Sequence, residues 1–480
     1  MKLRSATRKQ EAQVSLFFMN TFERKGVIKK MSFQMKQENG VWDACTSVAR
    51  LDTLPLEIVT NIFVLLSLQE KVSLRRVSKS WKDMTDDQLK NVRWITTGVI
   101  TCSFPSGCVH RHKEVCPEAE DPDIMSQLLR LCPNVERVDL EGSVMKSESP
   151  EDKKTITKLL QQMSRMRCLT WRNLDLSESV TFYELKHLRC NTISSRCLRG
   201  LLSHLEGLAF NSANFQQWEK MPNGLKFLIE EGKDPSIDLC RLVRSEGAQT
   251  LERLKINCVF PESLPQVPVF PNLLYLRIRD CHEEFNAKQL SLLKSVIENS
   301  QARELYLGVP NVLDDPLVNL KSFFSSFQKV ETIRQALFIE EHQVVQHLVN
   351  NSPLVKTAEL IVTSITEEVL TLLLGWKNLK KLTLASPGTL RRCTTSELLK
   401  FIDSAFTQSI EQLHLIDKLS FKKADQEELV RIMTARDLKV SFRVGKRFID
   451  AKQRPFTKSG SRTIKSPMLL VHAHRFRSYN

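Results

Sequence analysis

The sequence predicts an α/β protein in which a small N-terminal unit of three short helices precedes an irregular solenoid of strand–helix repeats. Three observations predict this fold class. A dense segment with helical patterning follows residue 50. A short apolar phrase then recurs between about residues 132 and 442, at intervals of 19 to 31 residues. Amphipathic helical stripes lie between several of these phrases.

The segment LDTLPLEIVTNIFVLLSLQEKVSLRRVSKSWKDM, which begins at Leu51, carries the helical unit. Pro55 suits the first turn of a helix, where a missing N–H costs nothing. Apolar residues then follow at helical spacing, at Ile58, Ile62, Leu65 and Leu66. A second short helix is expected around Leu74, and Ser78 is expected to cap a third with Trp81 in its first turn.

Three helices in about 40 residues form a very small core. Such a unit usually needs a partner to cover its remaining apolar surface, and Phe63 and the exposed side of Leu54–Pro55 are candidates for that surface. The alternative interpretation is an ordinary helical cap on the domain that follows.

The combination of Leu54–Pro55 and Glu57 with Val77–Ser78–Lys79 and Trp81 resembles the F-box family over residues 51 to about 95. Glu70 stands where the family commonly has its second-helix acidic residue. The resemblance implies a three-helix fold that binds the Skp-family adaptor of a Skp–cullin–F-box (SCF) ubiquitin ligase and performs no covalent chemistry. It also implies a set of adaptor-binding residues, namely Leu54, Pro55, Ile58, Ile62, Phe63, Leu66, Leu74, Val77 and Trp81.

The apolar phrase of the long region has the form apolar, two variable residues, apolar, one variable residue, apolar. Clear examples begin at Leu251, Leu273 and Leu379. At this apolar content a single match arises by chance at roughly 7% of positions, so the regular interval indicates the repeat. Helical stripes support it, such as the one containing Leu290 and Leu293, and one that follows Ser396 as a cap.

A short strand, a helix and a period of 20–29 residues resemble the leucine-rich repeat family. Only Cys281 clearly supplies the Asn or Cys that the repeat expects after the phrase, and residues 215–245 and 258–270 are irregular. An F-box followed by leucine-rich repeats is a known family arrangement, and it implies a horseshoe-shaped α/β solenoid.

In such repeats the variable residues of successive strands form a continuous binding strip. The predicted strip is basic at its centre and contains two tyrosines, with Glu304 and Glu359 as interruptions. We therefore hypothesise that an acidic or phosphorylated substrate segment docks there, the alternative being solvated surface charges. The candidate substrate-binding residues are His187, Arg189, Arg253, Lys255, Tyr275, Arg277, Arg279, Tyr306 and Arg334.

The net charge of +15 is concentrated partly at the two ends of the chain. Both ends lack periodic apolar residues and are expected to be largely disordered. Such tails can bind nucleic acid, anionic lipid or an acidic partner, or can simply be solvated. The predicted domains are a basic extension (1–48), the F-box (49–95), a linker (96–131), the solenoid (132–442) and a basic tail (443–480).

Neither a secretory signal nor a run of about 18 apolar residues is visible, and the twelve cysteines are scattered. A cytoplasmic or nuclear location is therefore expected. The cluster Cys102, Cys108, His110, His112 and Cys116 has no zinc-finger spacing, so we interpret it as a loop rather than a metal site. No nucleotide-binding, metalloprotease or serine-hydrolase motif is present, which predicts a protein without a cofactor or catalytic residues.

These features together predict a substrate-recognition subunit of an SCF ubiquitin ligase. It would bind a Skp-family adaptor and, through it, a cullin, and it would hold an unknown protein substrate for ubiquitylation and proteasomal degradation. Two alternatives remain open. The first is a leucine-rich interaction scaffold that recruits no ligase, and the second is a nucleic-acid-binding protein driven by the basic ends and strip.

Overall fold

The computed structural model describes the chain in segments. The described residues are 63, 66–97, 121–140, 150–171, 173–176, 182–194, 204–214, 223–232, 242, 246–257, 269–278, 287–307, 316–339, 342–362, 365–385, 394–407, 410–416, 431, 440–444 and 447–450. The chain divides into two compact units, Met1–Trp171 and Arg172–Asn480.

The first unit contains helices and a small parallel sheet. Its elements are α1 (Leu68–Leu74), α2 (Lys79–Lys90), β1 (Trp94–Thr96), α3 (Pro122–Leu131), β2 (Arg137–Leu140), α4 (Pro150–Gln161) and β3 (Cys168–Trp171). The strands pair in parallel in the order β1–β2–β3. Helices α1 and α2 pack on each other, and both contact α3.

Helix α3 lies in the stretch that the sequence analysis treats as a linker. Asp121 caps it by accepting hydrogen bonds from the backbone N–H groups of Asp123 and Ile124, and Pro122 occupies its first turn. Met125 and Leu128 are buried on one face of the helix. The predicted linker therefore contains a helix that packs against α1, α2 and α4 (Pro150–Gln161).

The second unit is a row of parallel strands. They are β4 (Asp175–Leu176), β5 (His187–Ser194), β6 (Gly207–Asn214), β7 (Phe227–Glu230), β8 (Arg253–Ile256), β9 (Tyr275–Ile278), β10 (Glu304–Leu307), β11 (Thr332–Ile339), β12 (Thr357–Val362), β13 (Lys381–Ala385), β14 (Gln412–Ile416), β15 (Val440–Val444) and β16 (Arg447–Asp450). Each strand from β5 to β15 pairs in parallel with its sequence neighbours, β4 pairs with β5, and β16 is antiparallel to β15.

Helices connect the later strands of this unit. They are α5 (Ala287–Glu298), α6 (Pro316–Phe324), α7 (His342–Asn351), α8 (Glu367–Leu373) and α9 (Thr395–Thr407). The predicted stripe of Leu290 and Leu293 is buried in α5, as expected. The cap predicted at Ser396 is wrong, because α9 begins one residue earlier and Thr394 caps it. The Thr394 hydroxyl accepts a hydrogen bond from the backbone N–H of Glu397, and the Glu397 carboxylate accepts one from the backbone N–H of Thr394. This reciprocal pair is a capping box.

The apolar phrase occupies the core of every repeat. In the repeat of β8, Leu251, Leu254 and Ile256 are almost inaccessible, and the equivalent residues of the other phrases are buried in the same way wherever their side chains are described. Because successive strands are held in register, each phrase stacks on the next one. The predicted fold class, short N-terminal helices followed by an open parallel sheet of strand–helix repeats, is thus confirmed.

Candidate functional site

Two rows of side chains run across the second unit on the sheet face opposite the apolar core. They are the variable positions of each phrase, and the strand register places them side by side. Row one is His187, Gly207, Phe227, Arg253, Tyr275, Glu304, Thr332, Thr357, Lys381 and Gln412. Row two is Arg189, Ala209, Ile229, Lys255, Arg277, Tyr306, Arg334, Glu359, Thr383 and His414. The structure thus brings the predicted strip residues into two adjacent lines, except Arg279, which lies outside the described residues.

Arg189, at the β5 end of row two, is engaged inside the protein. Its Nε and Nη2 atoms lie 3.0 and 2.7 Å from Oε2 of Glu231, and its side chain is 5% exposed. His187 lies beside it in row one, with its ring centroid 6.2 Å from that of Phe227. A carboxylate of the chain itself therefore neutralises the predicted cation at this end.

The centre of the strip is built from two arginine–tyrosine pairs. The guanidinium carbon of Arg253 lies 5.3 Å from the ring centroid of Tyr275, which occupies the same row on the next strand. The guanidinium carbon of Arg277 lies 4.0 Å from the ring centroid of Tyr306 by the same step. A cation over an aromatic face is stabilised by the ring quadrupole, so the rings hold both arginines in place, and no carboxylate among the described residues pairs with either of them.

Arg277 is unusual among the described arginines of the strip. It is 6% exposed, and its Nε atom is buried with no hydrogen-bond partner. Burying a guanidinium costs free energy unless an anion pairs with it. The ring of Tyr306 offsets only part of this desolvation cost at Arg277. Lys255, half-buried on the preceding strand at the same register, adds further positive charge next to it.

The β11 end of the strip is again neutralised. Arg334 Nε lies 3.6 Å from Oε1 of Glu359, its register neighbour on β12. Both side chains are partly exposed, so this ion pair contributes little to stability. The arginines at both ends of the strip are therefore paired with carboxylates, whereas Arg253 and Arg277 on β8 and β9 contact tyrosine rings.

A separate line of charges precedes the strands and is largely self-compensating. Lys186 Nζ lies 2.6 Å from Oε1 of Glu206, and Lys356 Nζ lies 2.7 Å from Oε2 of Glu331. The Lys186 hydrogen bond lowers the pKa of Glu206, and the Lys356 hydrogen bond lowers the pKa of Glu331. Arg303 also pairs with Glu331, at 3.5 Å. These cations differ from Arg253 and Arg277, which contact rings.

The described helices of the first unit are fixed by their caps. Ser67 and Glu70 form a capping box at α1, with Ser67 N donating to Glu70 Oε2 at 2.7 Å. Ser78 accepts from Trp81 N and caps α2, as the sequence predicts. Arg75 joins the two helices by an ion pair to Asp86 at 2.5 Å. These contacts position Leu74, Val77 and Trp81 of the predicted adaptor-binding set.

The predicted adaptor-binding residues fall into three groups. Phe63 packs on Trp81 with 5.5 Å between ring centroids, and both are buried together with Leu66 and Leu74. Val77 is 37% exposed at the turn before α2. The third group, Leu54, Pro55, Ile58 and Ile62, lies outside the described residues. The buried group holds the helices together, while Val77 is accessible to a partner.

Sequence reasoning missed a buried polar cluster in the first unit. Trp94 Nε1 donates to Oδ2 of Asp139 at 2.9 Å, and Arg137 Nε lies 2.5 Å from the same oxygen. The Arg137 guanidinium also lies over the Trp94 ring, 4.5 Å from its centroid. The alternation of Arg137 and Asp139 on one strand face could have revealed it, since residues two apart on a strand share a face.

No group of three or more metal-ligating side chains occurs among the residues that the structure describes. The cysteine and histidine cluster from Cys102 to Cys116 lies outside them. Within the described segments, no helix combines the length and apolar character needed to cross a membrane.

Residues 51–91, which include the described helices α1 and α2, match the F-box-like family. The F-box-like domain thus includes α1, α2 and the buried Phe63–Trp81 pair. No curated protein matches the chain.

Among solved structures, the chain is similar to one described as the crystal structure of a TLR13–ssRNA13 complex. The identity is 13% and the TM-score 0.29, over 62% of this chain and 38% of that one. The chain therefore spans about two fifths of the length of that structure. The repeat architecture is shown by the register that joins each strand to the next.

Proposed function

We propose that this chain is a substrate adaptor of an SCF-type E3 ubiquitin ligase. The F-box-like domain would bind a Skp-family adaptor and, through it, a cullin, while the repeat unit would hold the protein to be ubiquitylated. The observation that carries the proposal is the F-box-like match at residues 51–91, upstream of an open array of strand–helix repeats. Degradation by the proteasome would follow ubiquitylation of the bound target.

The mechanism requires no covalent chemistry from this chain. Tethering a target next to a ubiquitin-loaded enzyme raises its effective concentration, and this alone accelerates transfer. The chemical work would be done by other subunits, and the residues of this chain would only bind and orient. Such a protein would act in the cytoplasm, the nucleus or both.

The proposal is tested by capture of a purified Skp-family adaptor on the full-length chain. Leu54→Asp combined with Ile58→Asp places two charges in the predicted contact surface and should abolish capture. Leu354→Asp is a matched control, because Leu354 is an apolar residue that is 45% exposed in the repeat unit. The proposal fails if the intact chain does not capture the adaptor, or if the F-box variant captures as well as the control.

A further inference from the structure

The strip over β8–β10 contains a net positive charge that the described residues around it do not cancel. Arg253 and Arg277 stand in its two rows against one carboxylate, Glu304. No ion pair links Glu304 to either arginine among the described residues, whereas Arg189 at the β5 end has its own carboxylate. Within the described part of the chain, Arg253 and Arg277 therefore differ from the paired cations outside the strip, because each contacts an aromatic ring and no carboxylate.

We propose that, if the chain acts as a substrate adaptor, this part of the strip binds an extended acidic segment of the target protein. Two carboxylates, two residues apart, would contact Arg253 and Arg277. That the bound segment belongs to a target protein rests on the proposed function. The anion site itself rests on the geometry of the two arginine–tyrosine pairs.

The spacing of the two arginines suits such a segment. Arg277 lies one strand further on and two residues further along the strand direction than Arg253. Adjacent strands are about 4.8 Å apart and two residues of a strand span about 6.7 Å, which separates the two Cα atoms by about 8 Å. Alternate side chains of an extended peptide are also about 6.7 Å apart and point the same way. The flexible side chains cover the remaining difference.

The chemistry of each position favours a carboxylate. A guanidinium presents parallel N–H donors that match the two oxygens of a carboxylate. Arg277 is buried over the ring of Tyr306, so little side-chain entropy remains to be lost on binding. Because no described residue pairs with its Nε atom, an anion bound to this guanidinium would supply the negative charge that the described residues do not.

A nucleic acid fits the same surface less well. Single strands are bound by stacking successive bases on exposed aromatic rings. Tyr275 and Tyr306 each have a ring face covered by a guanidinium, and Phe227, the other aromatic side chain of row one on the neighbouring strand, is buried. The surface therefore supplies positive charge and few open stacking platforms, which favours a peptide.

The test measures binding of fluorescein-labelled peptides to the full-length chain by fluorescence anisotropy at low salt. The main probe is a repeated Thr–Glu peptide, in which carboxylates recur every second residue. Three comparison peptides are the matching Thr–Gln peptide, a Glu–Thr–Thr peptide with the same number of carboxylates at every third residue, and a Thr–Ser peptide with one phosphoserine. A short oligothymidylate completes the set.

The Thr–Glu peptide should bind more tightly than the other probes. Arg253→Gln combined with Arg277→Gln should weaken its binding at least tenfold, which corresponds to about 1.4 kcal/mol. Arg303→Gln is the matched control, because Arg303 is an exposed arginine that already pairs with Glu331 outside the two rows. Its peptide affinity should stay within about twofold of that of the intact chain, because Arg303 lies in neither row that the peptide would contact.

Equal binding by the double variant and the intact chain would overturn the proposal, provided that circular dichroism shows the variant to be folded. Preference for the phosphoserine peptide, the oligothymidylate or the Glu–Thr–Thr peptide would overturn it as well. Adaptor capture is measured in parallel. The arginine variant should retain capture, and Leu54→Asp with Ile58→Asp should retain peptide binding, so failure of this inference is distinguishable from failure of the adaptor function.

Discussion

Replacing Arg277 with methionine should leave the repeat unit as stable as before or slightly more stable, whereas the same change at Arg189 should destabilise it. Both arginines are buried in row two, and they differ in their partners. Arg189 is bound twice to Glu231, while Arg277 lies over the ring of Tyr306 and its Nε atom has no hydrogen-bond partner among the described residues. Methionine retains much of the apolar stem of arginine in either place.

The magnitudes follow from these contacts. At Arg277, removing an unpaired buried donor relieves about 1–3 kcal/mol, and losing the cation–ring contact costs about 0.5–2 kcal/mol. The net change in the free energy of unfolding therefore ranges from a loss of about 1 kcal/mol to a gain of about 2.5 kcal/mol, with a midpoint near a gain of about 1 kcal/mol. At Arg189, the change leaves the carboxylate of Glu231, which is 17% exposed, without its cation. Breaking a fully buried ion pair costs about 3–5 kcal/mol. Because Glu231 is partly exposed and water can solvate its carboxylate, we expect a smaller loss of about 2–4 kcal/mol in the free energy of unfolding.

The assay is thermal and urea unfolding of the full-length chain, followed by circular dichroism. For a domain of this size, about 1 kcal/mol shifts the melting temperature by roughly 2 °C, so a difference of about 4 kcal/mol between the two variants corresponds to roughly 8 °C. Arg303→Met, at an exposed pair, should lie close to the intact chain. Should Arg277→Met lose as much stability as Arg189→Met, the guanidinium has a partner in solution and the anion-site argument is refuted.

Three further outcomes are expected. Trp81→Ala removes the ring that packs on Phe63 and should destabilise the F-box-like domain by about 3–5 kcal/mol. The amide hydrogen exchange rates of residues 68–90 should rise, and exchange as slow as in the intact chain would contradict this packing. The lowered pKa of Glu206 means that its contribution to stability is present above its ordinary pKa of 4.5 and lost as the pH falls through the folded value. Glu206→Gln should therefore reduce the loss of stability on acidification below about pH 4.5, and an unchanged acid transition would show that the Lys186 contact is too screened to matter. Leu382→Ala empties a fully buried position of the β13 phrase and should cost about 2–5 kcal/mol in urea unfolding, whereas a change below about 1 kcal/mol would mean that the site collapses or is not a core position.

Most of the local architecture was predictable from the sequence. Ser78 caps α2 as expected, because a serine before an amphipathic stretch satisfies a free backbone N–H wherever the helix lies. The cap of α9 was misplaced at Ser396 because Thr394 and Ser396 are both capable residues, and the reciprocal bond from Glu397 decides between them. Helix α3 was missed, although Asp121 and Pro122 together form a recognisable start signal.

The sequence by itself determined the repeat, since each apolar phrase specifies its own strand and its own buried face. It also determined which residues would form the strip, because alternation along a strand assigns every second side chain to one face. Only the tertiary structure decided what those side chains do there. Arg189 meets a carboxylate 42 residues away, and Arg277 meets a tyrosine on the next strand. These partners depend on the register between repeats, and the connections between strands differ in length, so no local pattern encodes which cation is neutralised and which remains available.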